Sequence, residues 1–456
     1  MTSIAVQSSG SAHLSGSLPI RHIGRVLLGV GLLTLTMALF NRPVGHGFAA
    51  FFLCFVPLTV GAVMVGIEPY LGTVAGIKND GIYSNDGHNG VQSRGVWAYL
   101  LGALLTTFYC LVYWWPTHLS GLVALTEPFA QWISGGGSSQ WFLYGFLYTV
   151  AVCVMGARMA MRYRHNRYQL IRTASVMFFQ FAFGFTLPQV LKAFSQPEYY
   201  FTYFWPLKYD YLFPGSIDSL MSSGALGVFM VFWGLGAAFV ATPILTYFYG
   251  KRWYCSWVCG CGGLAETAGD PFRQLSNKSR AAWRFERWSI HLVLVLITVT
   301  TIAVWVDART SGAVFGAASK HLKEAYGFYV GAVLSGVIGV GFYPLLGTRV
   351  WCRFFCPMAA VLGLLQRFFS GFRITTNGAQ CISCGNCSTY CEMGIDVRAY
   401  AQRGENIVRA SCVGCGVCAA VCPRGVLKLE NGSTHADRFA GSDHPLEALM
   451  RSLRQP

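Results

Sequence analysis

Eight stretches of this 456-residue chain are apolar and long enough to cross a lipid bilayer, which takes about 20 residues of α-helix. The composition agrees with a membrane protein, since 54% of the residues are hydrophobic and only 12% are charged, against about 25% charged in ordinary soluble domains. The predicted spans cover residues 24–41, 47–67, 95–115, 141–160, 173–194, 225–249, 289–306 and 327–347. The sequence therefore predicts an all-α polytopic membrane protein with about eight transmembrane helices.

Positive charges are distributed unevenly among the loops between these spans. Arg21 and Arg25 precede the first span and five arginines lie between residues 158 and 172, whereas the loop 116–140 contains neither Lys nor Arg. Cytoplasmic loops of membrane proteins are enriched in Lys and Arg, so the sequence predicts that both chain termini lie on the cytoplasmic side of a bacterial inner membrane. The same enrichment accounts for the net charge of +15, and no nucleic-acid partner is predicted.

Two matched cysteine runs follow the last predicted span, and each has the spacing C-x2-C-x2-C-x3-C. Ferredoxins use this spacing to hold [4Fe–4S] clusters, and in two-cluster ferredoxins the fourth thiolate of each cluster comes from the other run. The first cluster is predicted to bind Cys381, Cys384, Cys387 and Cys422. The second is predicted to bind Cys412, Cys415, Cys418 and Cys391. Zinc is the weaker alternative, because eight cysteines in two matched runs exceed what one zinc site uses.

A second motif, G-x-R-x-x-C-x-x-x-C, occurs after the sixth and after the eighth predicted span. The first copy contains Gly250, Arg252, Cys255 and Cys259, with Cys261 as an additional thiol, and the second contains Gly347, Arg349, Cys352 and Cys356. Cysteines four residues apart share one face of a helix. If the two spans are neighbours, the four sulfurs are predicted to form a metal or further iron–sulfur centre, with the two arginines lowering the thiol pKa values. The alternative is apolar packing, because free cysteine behaves as a small hydrophobic residue.

The chain resembles membrane polyferredoxins of the NapH and NosR type over roughly residues 225–430, in the order and spacing of both cysteine motifs. Cytochrome-oxidase assembly proteins of the CcoG type share the general layout. The resemblance implies an iron–sulfur protein that passes electrons between the quinone pool, or a soluble donor, and a partner oxidoreductase, as a quinol dehydrogenase component would. Two positions depart from the family pattern, because Gly260 follows Cys259 and Glu392 follows Cys391 where the family often has proline.

Five regions are predicted along the chain. They are a mobile N-terminal segment (1–23), an N-terminal membrane region of four spans (24–172), a membrane core of four spans with the repeated motif (173–369), a cytoplasmic two-[4Fe–4S] ferredoxin-like α+β domain (370–430) and a polar tail (431–456). Lipid surrounds the spans, and quinol is a candidate ligand of the membrane core.

Three residues near the predicted cytoplasmic face, Glu266, Asp270 and His291, are candidates for moving protons at a quinone pocket. For each of them, an ordinary solvated polar group is an equally good interpretation. Two other functions also fit the cysteines. The chain is alternatively a cofactor-assembly or metal-reducing accessory protein of the CcoG type, in which the thiol pairs handle a metal ion, or an iron–sulfur redox sensor.

Overall fold

The computed structural model describes residues 17–43, 45–71 and 93–431, and most of them are helical. The longer helices are α1 (Ser17–Leu39), α2 (Gly47–Ile67), α3 (Val96–Trp114), α4 (Ser120–Ser134), α5 (Gln140–Arg162), α6 (Arg167–Ala193), α7 (Pro214–Ser222), α8 (Ala225–Tyr249), α9 (Arg280–Arg309), α10 (Ala317–Ala325) and α11 (Pro357–Phe368). Short helices lie at Arg252–Cys255, Gly260–Glu266, Asp270–Leu275, Tyr343–Leu346, Trp351–Phe355, Asn386–Thr389, Val397–Arg403 and Val417–Ala420.

Seven helices in the described part of the chain are long and apolar enough to cross a membrane. They are α1, α2, α3, α5, α6, α8 and α9, and they confirm seven of the predicted spans. Helix α1 begins at Ser17, earlier than the predicted start at residue 24. Residues 1–16 of the predicted mobile segment and residues 432–456 of the predicted polar tail lie outside the described residues.

The eighth predicted span, 327–347, is not one continuous apolar helix. Helix α10 continues as a π-helix over Tyr326–Ile338, the backbone then turns, and a short helix covers Tyr343–Leu346. Gly339 and Gly341 stand at the turn, and glycine weakens a helix interior. The end of this segment lies close to residue 275. Arg94 joins the two, since it donates from Nε to the Leu345 carbonyl (2.8 Å) and from Nη2 to the Leu275 carbonyl (2.6 Å). The segment is therefore not among the seven helices that could cross a membrane in the described part of the chain, although it runs back towards residue 275.

The first half of the membrane region packs around phenylalanine rings. Phe51 and Phe55 of α2 meet Phe146 of α5 at ring-centroid distances of 5.6 and 4.8 Å, and Phe129 of α4 lies 5.5 Å from the same ring. Each aromatic pair of this kind adds about 0.5–1.5 kcal/mol beyond its buried area. These rings form a hydrophobic core separate from the core that contains the cysteine motifs.

The cysteine-rich end folds as the predicted α+β ferredoxin-type domain. Strand β1 (Phe372–Thr376) pairs with β2 (Leu427–Asn431) in an antiparallel sheet, with Phe372 opposite Asn431 and Thr376 opposite Leu427. Both cysteine runs lie between the two strands in sequence. The sheet therefore closes the domain by joining its first and last segments.

A long loop, residues 195–224, enters the membrane bundle and is called the re-entrant loop below. Trp205 donates from Nε1 to Thr301 Oγ1 of α9 at 3.3 Å. Deeper in the bundle, Tyr254 donates from its hydroxyl to the Thr202 carbonyl at 2.6 Å. Tyr254 belongs to the first copy of the repeated motif, which follows the end of α8 nearest the ferredoxin domain. The loop begins after α6, at the opposite end of the bundle, and thus spans most of the bundle's depth.

Candidate iron–sulfur centres

The first predicted set of cysteines, called the outer set, lines one cavity. Cys381, Cys384, Cys387 and Cys422 are all part of its wall. Cys384 is exposed, whereas Cys387 is buried. Burial raises the pKa of Cys387 to about 12, and the neighbouring thiols of Cys422, Cys384 and Cys381 act in the same direction. Gly385 has a φ of 82°, which lets the backbone turn tightly beside the middle cysteine.

The second predicted set, Cys412, Cys415, Cys418 and Cys391, is called the inner set. Burial raises the pKa of Cys412 to about 11, and the nearby Cys391 thiol raises it further. Burial also raises the pKa of Cys418, to which Cys415, Cys412 and Cys391 contribute as neighbours. The structure thus brings Cys391 of the first run to the cysteines of the second run.

The inner set faces the membrane region. Gln169 of α6 donates from Nε2 to the Cys415 carbonyl at 2.9 Å, and the Tyr168 hydroxyl donates to the Gly414 carbonyl at 2.8 Å. From the first copy of the repeat, Ser256 donates from Oγ to the Val413 carbonyl at 2.8 Å. These bonds fix the second cysteine run directly against α6 and the repeated motif.

The repeat cysteines, Cys255, Cys259, Cys352 and Cys356, lie together in one buried cluster. Arg349 connects the two copies, because its Nη1 donates to the Cys255 carbonyl at 3.2 Å and to Cys352 Sγ at 3.6 Å. The two copies are therefore neighbours, as the prediction of a shared centre requires.

The spacing of the repeat sulfurs bears on what they hold. Four thiolates around one zinc ion, each about 2.3 Å from it, lie about 3.8 Å from one another. In the described part of the chain, no three repeat sulfurs come within 4.8 Å of one another, and the group that does so is Glu266, Glu392 and Cys415. Any three of the repeat sulfurs therefore include a pair that is farther apart than two ligands of one zinc ion.

Cys261 differs from the repeat cysteines beside it. The Cys259 thiol donates a hydrogen bond to Cys261 and lowers the pKa of Cys261 to about 7. The Tyr203 hydroxyl of the re-entrant loop lies 3.5 Å from Cys261 Sγ. Cys261 is thus the most easily ionised thiol of the group, a property that the sequence pattern did not predict.

Arg349 acts on the pKa values of Cys255 and Cys352 in the predicted, lowering direction, but burial outweighs it and both pKa values lie above the ordinary value. Burial raises the pKa of Cys255 to about 11, and Lys251 and Arg349 offset only part of that effect. Burial raises the pKa of Cys352 as well, although Arg349 contacts its sulfur. Desolvation of a buried thiolate outweighs the nearby positive charges. Arg252 instead lies over the Phe372 ring, 4.6 Å from its centroid.

Buried ion pairs join the repeated motif to the ferredoxin domain. Glu392 accepts from Arg349 Nε at 3.0 Å and from Arg273 Nη1 at 2.7 Å. Glu266 accepts from Nη2 of the same two arginines, at 2.5 Å each, and also pairs with Arg172. Burial raises the pKa of Glu266, but these arginines outweigh burial and hold that pKa well below its usual range. Burial raises the pKa of Glu392, with Glu266 as a further cause.

Asp270 extends the same network. It accepts from Arg273 Nε at 2.9 Å, from Arg162 at 2.6 Å and from Arg158 at 3.0 Å. Together with Arg172 and Arg349, these arginines number five against the three carboxylates of Glu266, Asp270 and Glu392. Two positive charges are left over when all groups are ionised. Because buried charges require partners, this excess fits the anionic thiolate ligands of iron–sulfur clusters at the neighbouring cysteines.

Only two of the three candidates for a quinone pocket come together, because Arg273 bridges Glu266 and Asp270. Glu266 and Asp270 are fully engaged by arginines in the buried network, whereas His291 is exposed on the surface of α9. Glu392, in contrast, occupies the centre of the network, and the sequence analysis did not assign it a role. The sequence feature that could have pointed to Glu392 is its place after Cys391, where such a run often has proline.

Comparison with protein families defines the class of this chain. A family model described as a 4Fe-4S dicluster domain matches residues 380–427. A second model, described as a 4Fe-4S binding domain, matches residues 228–279 and 329–375, which contain the two copies of the repeated motif. The chain therefore carries ferredoxin-type iron–sulfur domains in a membrane protein, and its class is that of an iron–sulfur electron-transfer protein, consistent with the predicted membrane polyferredoxin.

Individual relatives agree with this class. "Putative electron transport protein YccM" of Escherichia coli (strain K12) is 26% identical over 210 residues, which are 42% of this chain and 52% of that protein. "Methylamine utilization ferredoxin-type protein MauN" of Paracoccus denitrificans (strain Pd 1222) is 27% identical over 209 residues, 41% of this chain and 69% of that protein. The match spans about half the length of YccM. No solved structure matches the chain significantly.

Proposed function

We propose that this chain passes electrons between a soluble redox partner and the membrane through three iron–sulfur centres in series. The observation that carries the proposal is the position of Arg349. This residue donates to Cys352 Sγ in the repeated motif and to Glu392, the residue after Cys391 of the inner set. The inner set and the repeat cysteines are thus separated by only a few side chains.

The outer set is the proposed contact point for the soluble partner. Cys384 is exposed, and Arg398 and Arg424, which line the same cavity, are exposed as well. A basic rim around an accessible thiolate favours a partner with an acidic surface, because complementary charge steers association. The proposed partner is a soluble electron carrier or an oxidoreductase with such an acidic surface.

The proposed ligands are those that the spacing predicts. The outer set and the inner set each hold one [4Fe–4S] cluster, with Cys422 and Cys391 exchanged between the runs. Cys255, Cys259, Cys352 and Cys356 hold a third. Such a cluster, when bound, supplies reversible one-electron exchange at a potential that depends on charge, hydrogen bonds and exposure. The five arginines and the low-exposure environment of the inner set are the parts of this chain that would set that potential.

We place the ferredoxin domain and both chain termini on the cytoplasmic side of a bacterial inner membrane. The proposal is supported by the arginines at the end of α5, because Arg162 donates from Nη2 to the Tyr390 hydroxyl of the ferredoxin domain at 3.3 Å and shares Asp270 with Arg158. Lys and Arg mark the cytoplasmic side of membrane proteins. Quinol in the membrane is the proposed electron donor or acceptor on the other side of the relay.

A metal-handling role is the second candidate, and the geometry favours it less. Cys255, Cys259, Cys352 and Cys356 are all buried, which shields their sulfurs from solvent. Among the described residues, any three of these sulfurs include a pair more than 4.8 Å apart, wider than two ligands of one zinc ion. Both observations favour a resident centre.

The proposal is tested by anaerobic purification of the full chain, followed by iron and sulfide analysis and electron paramagnetic resonance (EPR) of the reduced protein. Three clusters correspond to about twelve irons per chain. Cys391→Ser is expected to remove the inner-set signal, and Cys422→Ser the outer-set signal, with about four irons lost in each case. Cys110→Ser, in α3 and outside all three sets, is the matched control and is expected to keep every signal. Loss of the outer-set signal in Cys391→Ser would contradict the exchanged ligands.

A further inference from the structure

A large cavity lies at the end of the membrane bundle opposite the ferredoxin domain. The re-entrant loop, which includes α7, forms its walls together with α10 and the C-terminal end of α9. Charged and hydroxyl residues, among them Lys208, Ser219 and Lys323, line it together with the rings of Tyr199 and Tyr203. Neither the sequence motifs nor the iron–sulfur sites described above account for this cavity.

The cavity reaches the repeated motif through the re-entrant loop. Tyr203 is part of the cavity wall, and its hydroxyl lies 3.5 Å from Cys261 Sγ. Cys261 in turn accepts a hydrogen bond from the thiol of Cys259, one of the repeat cysteines. A molecule in the cavity is therefore connected to the repeat cysteines by one tyrosine and one cysteine.

One wall residue has an unfilled hydrogen-bonding capacity. Tyr199 is only 5% exposed and lines the cavity, yet its hydroxyl has no hydrogen-bond partner among the described residues. Leaving a buried hydroxyl unpaired is costly. An oxygen acceptor of a bound molecule would satisfy this hydroxyl.

The charges of the cavity wall favour an anionic ligand, because two lysines face one carboxylate that has no ion-pair partner among the described residues. Asp307 already accepts from Ser319 Oγ at 2.7 Å and from the Gly316 amide at 2.9 Å, and Glu198 is paired with Lys192. In the part of the chain that the structure describes, neither Lys208 nor Lys323 forms an ion pair, and each lies over an aromatic ring of the wall, at 5.8 and 5.4 Å. The carboxylates are thus satisfied while the ammonium groups are available, and the aromatic walls favour a planar molecule.

We propose that this cavity binds a planar aromatic redox molecule with carbonyl oxygens and a negative charge, which enters from the water on the side opposite the ferredoxin domain. Electrons pass between that molecule and the repeat-cysteine centre across the contact of Tyr203 with Cys261. In the reducing direction, two one-electron transfers convert two conjugated carbonyls into two hydroxyls. The electrons come from a one-electron reductant at the outer set, and two protons come from the water at the cavity mouth. The chain thereby conducts electrons across the bilayer.

This inference rests on the proposed function and is tested in sealed vesicles. The full chain, with its clusters, is reconstituted so that a C-terminal tag faces outward, and vesicles of that orientation are captured on an affinity resin. The vesicles contain 1,2-naphthoquinone-4-sulfonate, an anionic quinone that does not cross the bilayer. Dithionite, which crosses slowly, is added outside, and reduction of the trapped quinone is followed optically against protein-free vesicles.

Ser219→Trp obstructs the cavity wall, and Ser222→Trp places the same bulk on the same helix outside the wall. We expect Ser219→Trp to slow reduction of the trapped quinone at least about tenfold with unchanged EPR signals, and Ser222→Trp to match the unmodified chain. Tyr199→Phe is expected to weaken binding of the sulfonate by about fivefold, since it removes one hydrogen bond.

The outcomes separate the two proposals. Clusters that are reduced by external dithionite while the trapped quinone stays oxidised would overturn the cavity inference and leave the iron–sulfur relay intact. Equal rates in Ser219→Trp and the unmodified chain would also overturn it, because the quinone would then be reached by another route. Failure to reduce the clusters from outside would instead contradict the relay itself.

Discussion

The two copies of the repeated motif share every offset but use their arginines differently. Arg349 is buried and forms ion pairs with Glu266 and Glu392, whereas Arg252 lies over the Phe372 ring. Both partners, Glu392 and Phe372, belong to the ferredoxin domain. The recurrence of arginine at the same offset is therefore explained by docking of that domain, through charge in one copy and through an aromatic ring in the other. The cysteines and glycines, in contrast, are alike in both copies, because all four cysteines are buried in one cluster and both glycines have a positive φ.

The largest effects are expected where the copies are equivalent. Cys255→Ser and Cys352→Ser should each remove one complete centre, about four irons per chain, because the two sulfurs are the proposed ligands of one cluster. Iron and sulfide analysis with EPR of the reduced protein measures this loss. A loss in only one of the two variants would show that the copies do not share a centre.

Substituting the arginine of the second copy should reveal the difference between the copies. Arg349→Gln leaves the buried carboxylates of Glu266 and Glu392 without one of their partners, and we expect it to lower the free energy of unfolding by about 3–5 kcal/mol. Thermal unfolding in detergent measures the change. Arg349→Lys keeps the charge but cannot bridge both carboxylates with a planar fork, so it should restore only part of the stability. Full stability in Arg349→Gln would contradict the docking role.

The glycines test whether the backbone turns of the copies are equivalent. Gly250 and Gly347 have φ values of 67° and 88°, and an added Cβ would lie 2.7 Å from Phe372 Cβ and 2.6 Å from Ser276 Oγ. Gly250→Ala and Gly347→Ala should each cost about 1–3 kcal/mol, because only glycine adopts this conformation without strain. Gly215→Ala is the control in the same unfolding assay, because nothing lies within 4 Å of an added Cβ there. If Gly250→Ala and Gly347→Ala lower the free energy of unfolding no more than this control does, the two turns do not require glycine.

The smallest effect is expected for the arginine of the first copy. Arg252→Gln removes the contact with the Phe372 ring, and cation–π contacts at partly exposed positions contribute about 0.5–1 kcal/mol. The same unfolding assay should place this variant well above Arg349→Gln in stability. If the two variants are equally unstable, docking depends on charge in both copies and the distinction drawn between them is wrong.

Much of the membrane architecture was predictable, since span length and hydrophobicity are local properties of the sequence. Seven helices confirm the corresponding spans. The predicted eighth span is interrupted where Gly339, Gly341 and Pro344 weaken the helix. The apolar content of residues 327–347 predicted a span but gave these residues too little weight.

The features missed by sequence reasoning depend on residues that are distant along the chain. Glu392 pairs with Arg273, which lies 119 residues away along the chain. A local spacing pattern does not predict such a contact. The re-entrant loop is equally hidden, because its aromatic composition suits both a membrane surface and a bundle interior. The cysteine spacings were informative because ligands of one cluster are supplied largely by one short segment.

The packing of the inner set has a consequence for biogenesis. Cys412 and Cys418 are buried, and Tyr168, Gln169 and Ser256 of the membrane region close over this run with hydrogen bonds to its backbone. This cover would obstruct the entry of a preformed cluster at the proposed inner-set ligands. We therefore expect insertion to precede docking of the ferredoxin domain on the membrane helices, and a chain that docks before it is loaded to undock in order to mature.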